Sequence, residues 1–147
     1  MCSDRVFFNP PARPHQQVVA VLERALREPT DESRFDASDA LVGIALGDDD
    51  RDFVEHWCMQ IGTRAPSGSP LLGLATLCLD HTARRFGHLS PEAIALATSL
   101  AARARTDPSD VSTQALDGYG DIQTYLFPRR YRLPSWLRHR LPVSWWF

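Results

Sequence analysis

Asp80, His81 and His88 are side chains of the types that bind metal ions or carry protons. Their spacing works against both uses. Asp80 and His81 are adjacent, so on a helix they point roughly 100° apart. His88 lies beyond Gly87, a residue suited to end that helix. No H-E-x-x-H, nucleophile elbow or Gly-rich phosphate loop accompanies them. A hydrolase or metal-dependent enzyme built on His81, His88 and nearby acids is thus left without a motif. His81 sits close to an apolar stripe and is expected to be structural, bonded to a neighbouring helix. Cys2, Cys58 and Cys78 have no metal-ligand spacing. Two of them fall on apolar helix faces, where a free thiol acts as a small hydrophobe. The expectation is no catalytic residue, no metal and no cofactor.

The carboxylates offer a different chemistry. Asp48, Asp49, Asp50, Asp52 and Glu55 cluster around one turn and the helix after it. Asp107, Asp110, Asp117 and Asp121 lie around a later helix. Joined on one surface, such acids attract a basic partner and speed its association. They can also stand in for phosphates in the basic groove of a nuclease. The other reading is local: acids before a helix cap it and favour its dipole, by about 0.3–1 kcal/mol per charge.

The charge totals sharpen this pattern. All 16 basic residues are arginine, against 18 acids, for a net charge of −2. Residues 128–147 hold five arginines and no acid, so residues 1–127 hold 11 arginines against 18 acids, a balance of −7. An acidic body disfavours direct nucleic-acid binding, because phosphate contacts need cations. The stretch FPRRYRLPSWLRHRLPVSWWF adds three tryptophans and two phenylalanines to the five arginines. Trp and Arg are enriched at interface hot spots, which makes Trp145 and Trp146 candidate contacts. Three uses stand open: folding back on the acidic body, contact with a partner or a second copy, and contact with a membrane surface. No run approaches the ~18 apolar residues of a membrane span, so stable insertion is not expected. The start, MCSDRVFFNPPARP, lacks the apolar core of a secretion signal, and the expected location is cytoplasmic.

The elements that position these groups read as helices. The chain has 147 residues and a hydrophobic content of 44%, which favours one helical domain over 1–127 and a basic aromatic tail over 128–147. Helix one spans about Pro14 to Glu28. Residues 29–36 read as a polar connection. Helix two is short, about Ala37 to Leu46, capped by Asp36 or Ser38. Helix three spans about Arg51 to Thr63, with any of Asp48–Asp50 as its cap. The segment from Ser69 to Arg105 holds helices four and five, with Pro70 in a first turn, Gly87 as a stop and Ser90 as a cap. Helix six runs from about Pro108 or Ser109 to Leu126. Gly118 and Gly120 weaken it, so it either kinks or meets a close neighbour there. No strand pattern competes, and the fold class is all-α. Helices two and three, and four and five, form antiparallel pairs across short turns. Two such units with flanking helices read as a short α-solenoid.

The segments GLATLCLDHTARRFGHLSPE and ALDGYGDIQTYL carry a resemblance. They are similar to a family of small bacterial HEAT-repeat-like proteins. Gly73, Leu74, Ala75, Leu77, Cys78, Leu79, His81, Ala83, Arg84 and Gly87 stand at matching positions, as do Ala115, Leu116, Asp117, Asp121 and Ile122. The resemblance covers about Ala37 to Leu126. Asp80 replaces a usual glycine, Phe86 a usual histidine, and the chain is two residues longer around Gly118–Gly120. The resemblance implies a HEAT-like fold and an immunity protein of a bacterial toxin system. Its partner would be a cognate protein toxin, met through the acidic surface. The alternative is a non-catalytic adaptor that self-associates or docks a partner through its aromatic tail.

Overall fold

The computed structural model describes residues 9–127; Trp145, Trp146 and the rest of the expected tail lie outside them. Six helices follow in order: α1 (His15–Arg27), α2 (Asp31–Gly47), α3 (Arg51–Arg64), α4 (Pro70–Phe86), α5 (Pro91–Thr106) and α6 (Gln114–Leu126). No strand occurs among the described residues, as the all-α reading expected.

Local chemistry accounts for most boundaries. Asp50 caps α3 by accepting the Phe53 N–H at 3.1 Å. Ser69 and Ser90 cap α4 and α5, each followed by a proline in the first helical turn. Gly87 ends α4 with φ at 69°, the left-handed region where a side chain would be strained.

Two boundaries differ from the expectation. Helix α2 begins at Asp31, so residues 31–36 are helix and not a connection. Its cap is Thr30, not Asp36 or Ser38. The Thr30 hydroxyl accepts the Ser33 N–H at 3.0 Å, and the Ser33 hydroxyl accepts the Thr30 N–H at 2.9 Å. This reciprocal box satisfies two N–H groups that a helix start leaves without partners. Helix α6 begins at Gln114, later than expected. The Asp107 carboxylate accepts the Ser109 N–H at 3.0 Å and the Ser109 hydroxyl at 2.6 Å, which fixes the chain in a turn where helix was expected.

The six helices share one core. Its fully buried members include Val18 and Leu22 of α1, Ile44 of α2, Ile61 of α3, Leu72 and Leu79 of α4, Leu100 of α5 and Ile122 of α6. Helix α4 lies in the middle, touching α2, α3, α5 and α6. Its buried residues therefore wrap much of its circumference, from Leu71 and Leu72 through Thr76 and Leu79 to Thr82 and Ala83. The densest packing is between α4 and α6. Gly118 explains it: a Cβ there would stand 2.9 Å from the carbonyl carbon and oxygen of Thr76. The glycine lets the α6 backbone rest on that of α4, which resolves the choice between a kink and a close neighbour. The expected pairs α2/α3 and α4/α5 do touch, but more lightly than α3/α4 or α1/α2. Among the described residues each helix contacts only its next and next-but-one neighbours along the chain.

Candidate partner-binding surface

The acids expected to meet a partner fall into two groups, one paired with Arg85 and one with Arg84 near the end of α4. The first group surrounds the α2–α3 turn. Asp48 accepts the Asp50 N–H at 2.8 Å through one carboxylate oxygen, and its other oxygen lies 2.7 Å from His15 Nε2. The His15 ring in turn stacks on Phe53, with centroids 3.6 Å apart. Asp49 is fully exposed and pairs with Arg85 at 3.3 Å. Asp50 is occupied by the α3 cap. Asp52 and Glu55 both bind Arg51, at 2.8 and 3.0 Å. Glu55 is only 8% exposed and also accepts the Ser90 N–H at 3.1 Å, tying α3 to the start of α5.

Arg85 organises this turn from α4. Its guanidinium donates to the carbonyls of Ala45 at 3.0 Å and Asp48 at 2.8 Å, and more weakly to that of Ile44 at 3.5 Å. These are carbonyls at the C-terminal end of α2, where helical partners run out. A cation there also offsets the negative end of the helix dipole. The α2–α3 acids thus sit around two arginines and a histidine that their own fold supplies.

The second group lies on α6. Asp121 pairs with Arg84 at 3.0 Å, and the same guanidinium reaches Asp80 of α4 at 3.3 Å and lies over the Tyr125 ring at 4.8 Å. Asp80 is 3% exposed, and burial pushes its carboxyl above the usual range despite the pull of Arg84. Asp117 is exposed and has no ion pair or hydrogen bond among the described residues. The two groups do not merge: Arg85 faces the first and Arg84 the second.

Asp107 and Asp110 belong to neither. Arg103 grips Asp110 through two bonds of 2.8 and 2.7 Å, and the Ser67 hydroxyl donates to it at 2.6 Å. These bonds, Arg103 first, hold the Asp110 carboxyl down at about 2. The clasp ties the α3–α4 loop to the α5–α6 loop, supported by the Gly68 N–H donating to the Asp110 carbonyl at 2.7 Å.

Among the described residues no cluster of three or more His, Cys, Asp or Glu is placed to hold a metal ion. Asp80 points into the protein, while His81 is half-buried and makes no hydrogen bond among the described residues. The expected bond from His81 to a neighbouring helix is not formed there. Cys58 and Cys78 are free and buried, and their mutual contact together with burial pushes the Cys58 thiol well above its usual range. Such a thiol is inert as a nucleophile.

Sequence reasoning missed Arg84 and Arg85. The i,i+4 pairs Asp80–Arg84 and Arg51–Glu55 have a local signal in their spacing. The link from Arg85 to Asp49 spans 36 residues and has none.

No helix of the described residues is long and apolar enough to cross a membrane. Comparison with known proteins matches the chain to no protein-family model, no curated protein and no solved structure.

Proposed function

We propose that the chain is a non-catalytic binding protein that neutralises a cognate bacterial toxin by covering its active site with an acidic surface. The observation that carries this reading is the charge the fold leaves over. Ten arginines stand against 17 acids in the described residues, and Glu28, Glu32, Asp39, Glu92 and Asp117 have no ion pair there. Uncompensated carboxylates favour a basic partner and repel an acidic one. The HEAT-like resemblance points the same way, and contacts of each helix with near neighbours along the chain are compatible with that reading. Within this reading Asp117, exposed and unpaired on α6, is free to meet a partner, whereas Asp121 is shared with Arg84. Asp48, Asp49, Asp50, Asp52 and Glu55 contribute field and hold the scaffold.

The test is capture of partners by the tagged full-length protein from its native host, with washes at low and high salt. One stoichiometric basic protein, released by salt, is the expected outcome. Recovery of only further copies of this chain overturns the toxin reading and leaves a self-associating adaptor. In vitro, the captured partner's enzymatic activity should fall to zero at a 1:1 ratio.

A further inference from the structure

A cleft of about 420 Å³ opens between the α4–α5 turn and the end of α6. Leu89, Pro91, Ile94, Leu126 and Phe127 line it, with the exposed His88 beside them. That volume lies within the roughly 300–1,000 Å³ typical of sites that take a compact apolar group. None of the cleft-lining residues is an acid or an arginine, so it is shaped for apolar surface and not for an ion.

We propose that this cleft is the seat of the chain's own C-terminal segment, residues 128–147, with one of its tryptophans filling it. Three observations select that occupant. The first is connectivity. Leu126 and Phe127 are both walls of the cleft and the last described residues, so residue 128 departs from the cleft itself. A segment tethered at its binding site has an effective concentration on the order of millimolar, which no free partner of ordinary abundance matches. The second is apolar content. Trp136, Trp145, Trp146 and Phe147 follow within 20 residues, and large aromatics supply the most buried area per side chain. The third is charge. The segment carries five arginines and no acid, against a balance of −7 in the preceding 127 residues. Glu92 follows Pro91 of the cleft wall and has no ion pair among the described residues, which leaves a carboxylate near the cleft for an arginine of the segment. Pro128, Pro134 and Pro142 divide the segment into short pieces that suit an extended path over a surface. This inference does not require the toxin reading but draws on the same acids: Glu92 paired with an arginine of the segment is no longer left over for a partner.

The test uses the full-length protein with His88 replaced by the photoreactive benzoylphenylalanine. His88 is exposed, so the replacement spares the core. Irradiation at low micromolar concentration should give cross-links from position 88 to residues 131–147 of the same chain, at monomer mass and with a yield independent of concentration. Cross-links confined to residues 9–127 overturn the proposal. So do cross-links at dimer mass whose yield rises with concentration, because the seat would then belong to a second copy. Ile94→Asp provides a separate reading. Trypsin should cut after Arg129, Arg130, Arg132, Arg138 and Arg140 about ten-fold faster in this variant, since cleavage follows the open population. Equal cleavage rates at unchanged circular dichroism overturn the proposal, and loss of helicity in Ile94→Asp leaves the cross-linking result to decide.

Discussion

The acids of the α2–α3 turn and the acids of α6 look alike in the sequence, yet the fold uses them differently. Around the turn, every carboxylate is engaged within the fold. Asp48 holds His15, Asp49 meets Arg85, Asp50 caps a helix, and Asp52 and Glu55 share Arg51. On α6, Asp121 shares Arg84 with Asp80, and Asp117 is left to solvent. The denser cluster is therefore the less available one. A cluster of charge marks a partner surface only after its intramolecular partners have been subtracted. Those partners lie on α1, α3 and α4, so the subtraction needs the three-dimensional arrangement.

The largest effect that would break this comparison is on stability. Reversing Asp48, Asp49, Asp50 and Asp52 together to arginine should destabilise the protein by about 3–5 kcal/mol, through the lost cap, the lost pairs and new repulsion with Arg51 and Arg85. Urea unfolding measures it. An unchanged midpoint would mean that these acids are as free as Asp117. Gly118→Ala should cost about 3 kcal/mol on the same measurement, because its methyl meets the Thr76 backbone, which cannot yield cheaply. Such a loss would mark α6 as seated by shape while the α2–α3 turn is held by charge. Arg85→Ala should cost about 2 kcal/mol by leaving the α2 carbonyls without their donor, with amide exchange rising at the end of α2. Asp117→Arg should change stability by less than about 0.5 kcal/mol. The same variant should weaken a basic partner about ten-fold, mostly through the association rate and less so at high salt.

Acid probes the clasp between the two loops. The folded Asp110 carboxyl sits at about 2, below the unfolded value of about 3.9. Its contribution to stability is therefore complete above pH ~4 and disappears as pH falls through about 2. Asp110→Asn should flatten the stability profile between those limits and leave its shape above pH ~5 unaltered. Urea midpoints measured from pH 2 to pH 6 check it.

How far the chain is legible follows from where its signals are local. Gly87, Ser90, Pro70 and Asp50 announce their boundaries within one turn, and the structure uses all four as expected. The first turns of α2 read as a connection because PTDESRFD has no apolar stripe. Phe35, its one large apolar side chain, is 71% exposed, and the start is fixed by Thr30 and Ser33 instead. The sequence places the α6 start too early because a proline followed by serine also opens helices, and the Asp107 turn competes with that signal. Gly118 shows that something unusual happens on α6, but not that Thr76, 42 residues earlier, lies against it. For the surface, the acids are visible and their partners are not, since Arg85 reaches Asp49 only after α2, α3 and α4 have assembled.

The restriction of every described helix to neighbours one or two places along the chain also bears on how the protein forms. No helix reaches beyond the next-but-one element to bury its apolar face, although α4 completes its burial only with α6. Chains with such local topology lose less loop-closure entropy on the way to the native state than chains built from distant pairings. The helices can consolidate progressively, each laid on those made before it. During synthesis α1, α2 and α3 can therefore pack against one another before α6 emerges, while the α4 face that Gly118 covers stays open until it does.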